Sequence, residues 1–128
     1  MISDRGASAL PMMMVAGVVV AVGVASTSVG LLLAGREQVS IASEAAALAA
    51  AVATYPPAGG GDPISAAREI AAANGATLVS CSCSVDPTLR PRTVEVETSS
   101  LVDVPLFGRL EVGRKARAEF DPGLWLGG

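Results

Sequence analysis

Histidine is absent from the chain. A histidine general base, a Ser-His-Asp triad, a His-bearing zinc site and a haem held by histidine are excluded with it. Aromatic residues are scarce, with one Trp, one Tyr and two Phe, although apolar residues make up 51% of the sequence. Burial must therefore rest on Ala, Val and Leu, and the small side chains among them remove little area from water. An excess of positive charge is also missing. Nine Lys and Arg stand against twelve Asp and Glu, a net charge of −3, which argues against a protein that neutralises nucleic-acid phosphates. The C-terminal cations Arg90, Arg92, Arg109, Arg114, Lys115 and Arg117 interleave with Glu95, Glu97, Asp103 and Glu111, the pattern of a solvated face. The carboxylates are scattered over polar positions, without the apolar surroundings that would shift their pKa values. The composition thus points away from an enzyme, with no catalytic residues, metal, cofactor or small-molecule substrate expected.

What is present in quantity is one long apolar run. From Ala7 to Gly35 the sequence ASALPMMMVAGVVVAVGVASTSVGLLLAG carries no charge, and it exceeds the ~20 residues a helix needs to cross a ~30 Å hydrocarbon layer. It reads as a single membrane-spanning helix over 7–35, after a short cytoplasmic segment at 1–6. A second reading takes Met12 to Val22 as the apolar part of a secretory signal cleaved near Ala25. Against it, the run continues ten residues past Ala25 and Leu31-Leu32-Leu33 renew its hydrophobicity. The charges flanking the run, Asp4 and Arg5 on one side and Arg36 and Glu37 on the other, leave orientation almost balanced. A short inner segment and a long exported domain is the simpler topology. Within the run, Gly23, Thr27, Gly30 and Ala34 fall at helical spacing as a stripe of small residues, which lets two helix backbones approach closely in lipid.

The helix has no reason to stop at Arg36, because REQVSIASEAAALAAAVA contains neither Gly nor Pro and is dense in Ala, the best helix former. The expected helix runs from about Leu10 to Thr54, with an extension at 36–55 that carries an apolar stripe of Ile41, Ala45, Leu48 and Val52. Pro56-Pro57 and Gly59-Gly60-Gly61 form a linker over 56–61. Asp62 is a good N-cap, Pro63 suits the first turn, and Asn74-Gly75 closes a short second helix. Ala67, Ile70, Ala71 and Asn74 share one face of it, expected to lie on a sheet.

The rest, within a head at 62–128, alternates with a period of two. In LVSCSCSVD, Val79, Cys81, Cys83 and Val85 fall on one parity and Ser80, Ser82, Ser84 and Asp86 on the other. Val94, Val96, Val102 and Val104 continue a second strand, with a bulge or bend expected near Leu101. Leu110, Val112, Ala116, Ala118 and Phe120 form a third. Trp125, in the apolar tail LWLGG, either folds back on the sheet or meets a partner. The fold class expected is α+β: a long N-terminal transmembrane helix continuing into a small head, with one short helix on a three- to four-stranded antiparallel sheet.

Cys81 and Cys83 are the only cysteines. A metal would need further ligands of the Cys or His type, and the chain has no third Cys and no His. Same-face neighbours in a strand lie ~6.5 to 7 Å apart, near the upper limit for a disulfide. Two small buried hydrophobes are the first reading; a disulfide within the pair and pairing with another chain stay open.

An N-terminal helix that is apolar first and amphipathic later, followed by a strand-rich head, is the layout of pilins. The segments Asp4-Arg5-Gly6-Ala7-Ser8-Ala9, REQVSIASEAAALAAA, AAREIAAANGATLVSCSCSVD and RKARAEF resemble those of the TadE/TadG-like minor pilins (pseudopilins) of tight-adherence, or Flp-type, pilus systems, in the short form common in actinobacteria. The resemblance implies a single-pass cell-membrane protein with its N terminus cytoplasmic and its C-terminal domain outside. It implies a non-catalytic structural subunit of a pilus or associated secretion machinery, with other pilin-like or secretion subunits, membrane lipid and further copies of itself as partners. An accessory subunit that docks on an exported envelope complex is the alternative. Gly6 and Ala7 are the candidate processing position, but the family's processed members carry Glu at the fifth residue after the cut, where this chain has Pro11. The family also places a Cys before the second helix, where this chain reads GGGDPISAA with Ile64, so that pairing does not carry over.

Overall fold

Helix α1 runs from Ile2 to Ala53 in a computed structural model that describes residues 2–127, with side chains from residue 11 onward. It starts earlier than the expected Leu10 and holds Pro11 inside it. Proline removes one backbone hydrogen bond, a loss that helices in membranes absorb by local adjustment. From Pro11 on, α1 is long and apolar enough to cross a membrane. A single 3-10 turn at Pro56–Ala58 follows, and Gly59, Gly60 and Gly61 all take positive φ, where a Cβ would be strained.

Helix α2, Pro63–Ala73, is capped as its sequence directs. The Asp62 carboxylate accepts from the Ser65 amide at 3.0 Å, and Gly75 takes φ 78° just past the end. Ala67 and Ala71 are buried and Ile70 and Asn74 half-buried, the expected face. The partner differs from expectation: α2 packs chiefly on α1 and only its edge meets the sheet. Alanines on both helices remove the bulk that would keep the backbones apart.

Three strands, β1 (Thr77–Ser82), β2 (Arg92–Val104) and β3 (Gly108–Phe120), form an antiparallel sheet in the order β1-β2-β3, and α3 (Pro122–Gly127) closes the chain. The α+β layout read from the sequence is the one observed. Strands β2 and β3 pair without interruption from Arg92 opposite Phe120 to Val104 opposite Gly108, so the bulge expected near Leu101 is absent. It lies in β1, where Leu78 faces Thr98 but Ser80 faces Glu97. The extra residue, Val79, resets the alternation. Leu78, Cys81 and Cys83 therefore pack on the core, while Val79 and Val85 are exposed, which corrects the expected apolar parity.

The core joins Ala46, Ala47, Ala50 and Ala51 of α1 to Ala67 and Ala71 of α2 and to Val94, Val96 and Ala118 of the sheet. A buried methylene-sized group contributes about 0.8 kcal/mol, so such a core gains by close approach rather than by bulk. The larger stripe, Ile41-Ala45-Leu48-Val52, does not enter it. Ile41 and Leu48 remain 51% and 61% exposed, because the sheet and α2 occupy the alanine face.

The sheet continues down α1 past the last core alanine. Gly35 sits against Val102, and an added Cβ would run into both Val102 methyls. Gly35→Ala would gain about 1 kcal/mol of helix propensity, but overpacking against a stiff β-branched side chain costs about 1–3 kcal/mol. The expected outcome is a net loss of about 1 kcal/mol, read from denaturant midpoints of the full chain in detergent.

Candidate functional site

Eighteen residues, five turns of α-helix, separate Gly23 from Ile41, Thr27 from Ala45, Gly30 from Leu48 and Ala34 from Val52. The small-residue stripe of the span and the apolar stripe of the extension are thus one continuous line along α1. It lies away from the head: a Cβ on Gly23 or Gly30 meets nothing within 4 Å, and Thr27, Ala34, Ile41 and Leu48 are exposed. The Thr27 hydroxyl donates to the Gly23 carbonyl at 2.9 Å, so the polar atom is satisfied within the helix and the face presents only small, apolar surface. The opposite side of the same turns is occupied. Ser28 is buried, its hydroxyl donating to the Val24 carbonyl at 2.9 Å and reaching the Pro105 carbonyl at 3.4 Å.

Cys81 and Cys83 are joined by a disulfide, with a Cα separation of 5.4 Å. That corrects the first reading of two separate buried thiols. Strand β1 ends at Ser82, so Cys83 is free of the extended geometry that would have set the pair ~6.5 to 7 Å apart. Both sulfur-bearing residues pack half-buried against the core. A disulfide over so short a span stiffens one corner of the head and suits an oxidising compartment.

The cationic stretch holds two kinds of residue. Arg117 with Glu95, at 3.5 Å, and Arg109 with Asp103, at 3.1 Å, are cross-strand neighbours on the solvated face, as the interleaved charges suggested. Exposed pairs of this kind contribute at most about 1 kcal/mol. Arg92 is different, and the solvated reading of it is corrected. Its side chain is 10% exposed, and its guanidinium donates to the carbonyls of Thr54, Asp86, Thr88 and Arg90. The Asp86 amide also donates to the Thr54 carbonyl at 2.7 Å. The end of α1 and the loop between β1 and β2 are therefore held by one side chain. The Asp86 carboxyl is held below the usual carboxylate range by the Thr88 hydroxyl and then the Thr88 amide, with Arg92 and Arg90 adding to the effect.

Two apolar surfaces stand at opposite ends of the sheet. At the end near Arg92, Trp125 folds back edge-on to Phe120 at 6.3 Å between ring centroids and remains half exposed, flanked by Leu124 and Leu126. At the other end is the hairpin Pro105-Leu106-Phe107, which the sequence reading passed over. Phe107 donates its amide to the Val104 carbonyl at 3.2 Å, and Leu106 takes φ 69°, the arrangement of a type II turn, whose third position favours glycine. The signal available in the sequence was a turn-forming Pro105 and Gly108 enclosing two large apolar residues.

The candidate processing position, Gly6 and Ala7, lies outside the residues whose side chains are described. Compared with family models, with curated proteins and with solved structures, the chain matches none.

Proposed function

We propose that the chain is a membrane-anchored, pilin-like structural subunit of a tight-adherence type pilus or its associated secretion machinery, assembling through α1. The supporting observation is the unbroken line from Gly23 to Val52, small along the uncharged run and apolar along the extension beyond Arg36, on the side that the head does not cover. In lipid, small residues favour helix association through close backbone approach. Outside it, exposed Ile41 and Leu48 gain about 1.5–3 kcal/mol each when buried. One face serves both settings, as a subunit moving from membrane to assembly requires. The disulfide fits an exported head, with the N terminus inside. Other pilin-like subunits, further copies of the chain and membrane lipid are the partners of this reading, and catalysis, nucleic acid and cofactors have no part in it.

Shearing cells and probing the released material for an epitope at Gly128 tests filament membership. Signal in the sheared fraction is expected; signal confined to washed membranes overturns it. Mass spectrometry of the same material distinguishes an N terminus at Met1, Ala7 or Ser26, the last marking signal cleavage near Ala25. The second reading, an anchored accessory subunit docking through its head, draws on the exposed Leu124, Trp125 and Leu126.

A further inference from the structure

The hairpin between β2 and β3 ends beside Ser28, well inside the uncharged run. The contact of the Ser28 hydroxyl with the Pro105 carbonyl fixes the level of the tip. Arg36, the first charge after the run, lies eight residues further along the helix, about 12 Å at 1.5 Å per residue. The hydrocarbon boundary can be placed independently. Counting about 20 residues from Ala7, two positions beyond Arg5, brings the outer edge of a ~30 Å layer to Ser26 or Thr27. The tip is therefore level with the place where acyl chains give way to headgroups.

The residues at that level suit it. Leu106 is 88% and Phe107 71% exposed, adjacent positions that a soluble head would be expected to make polar. Leu106 also holds positive φ, where glycine or asparagine would avoid the strain. A large apolar side chain kept in an unfavourable conformation and left bare is accounted for by a surrounding that rewards it. The charged pair Asp103 and Arg109, on the solvated face just above the tip, neutralises itself at 3.1 Å, and the pocket one step higher is lined by Leu32 and Leu110 together with Arg36 and Arg114. Apolar residues below and arginines above follow the order of a bilayer interface, where aromatic rings and snorkelling cations collect.

We propose that Leu106 and Phe107 insert into the acyl–headgroup boundary on the outer side of the bilayer that α1 crosses, making the β2–β3 hairpin a second membrane contact that holds the head upright against it. The proposal rests on α1 spanning the membrane, and the test separates the two.

Full-length chain carrying Trp125→Phe, with one tryptophan returned at a time by Phe107→Trp, Val18→Trp or Leu89→Trp, is reconstituted into phosphatidylcholine vesicles brominated near the top of the acyl chains. Val18 belongs to the span, and Leu89 is an exposed loop residue at the far end of the head. Bromine is expected to quench the F107W protein at least about half as strongly as the V18W protein, as for a ring 5–10 Å into the boundary, and to leave L89W unaffected. Iodide in the buffer should quench L89W and spare F107W. If F107W matches L89W in both measurements while V18W is quenched by bromine, the insertion is overturned and the span stands. If F107W is shielded from iodide without bromine quenching, the tip is covered by protein and the proposal also fails. Absence of quenching in V18W overturns the span and the insertion together.

Discussion

Replacing Arg92 with alanine will lower the stability of the head by about 3 kcal/mol, the worth of two or three charge-assisted hydrogen bonds lost from a largely buried setting. The guanidinium, carried on the first residue of β2, joins the end of α1 to the β1–β2 loop through the carbonyls of Thr54, Asp86, Thr88 and Arg90. Its removal leaves the Asp86 and Thr88 carbonyls to water and releases the loop from Thr54, to which only the Asp86 amide still connects it. Arg92→Lys should recover less than half of the loss, because one ammonium cannot reproduce a planar fork aimed at four carbonyls. Trp125 fluorescence during denaturation of the full chain in detergent reads both variants; a loss under about 1 kcal/mol for alanine would show that water replaces these bonds at no cost. The adjacent Asp86 bears on the acid side alone. Thr88 and the nearby arginines lower its folded pKa, so its contribution is present at neutral pH and is lost as the pH falls through that lowered value, below the ordinary aspartate pKa of about 3.9.

Arg92 also marks where sequence reasoning stops. Its neighbours Glu95 and Arg117 follow period two and fall on the solvated face as the alternation says. The burial of Arg92 depends on a loop folding back over it, and loop paths leave no periodic trace. The same limit appears in β1. The alternation of LVSCSCSVD was legible, but a bulge at Val79 shifts the face by one residue, and Val79 itself carries no bulge signal such as glycine. In α1 the periodicity was legible and the buried side was not. Ile41, Ala45, Leu48 and Val52 do share a face, but the stripe by itself does not say which side of the helix the head covers, and the sheet and α2 pack on the alanine side, where elements can come close. Caps and punctuation did best: Asp62 acts through its carboxylate on an amide three residues on, and Asn74-Gly75 and the glycines at 59–61 through their own backbone, so no distant partner is needed to read them.

That uncovered stripe carries the second large effect. If the line from Gly23 to Val52 is one interface, substitutions at its two ends will each weaken association of α1 with a second copy. Gly30→Ile places a branched side chain where a Cβ now meets nothing within 4 Å and prevents close backbone approach, at about 1–2 kcal/mol. Leu48→Glu, eighteen residues away, leaves the span untouched and costs about 2 kcal/mol of apolar burial. The two positions lie about 27 Å apart along the helix, too far for direct coupling, so their effects should add. Together they give about 3–4 kcal/mol, over a hundredfold in the association constant. Energy transfer between donor- and acceptor-labelled copies in vesicles, measured over a range of protein-to-lipid ratios, reads the constant, and Val18→Leu, off the stripe, is expected to change it little. Additivity distinguishes one interface from two. If G30I alone abolishes transfer and L48E adds nothing, association is confined to the span and Ile41 and Leu48 face a different partner. If neither substitution moves the constant, the chain does not assemble through this face.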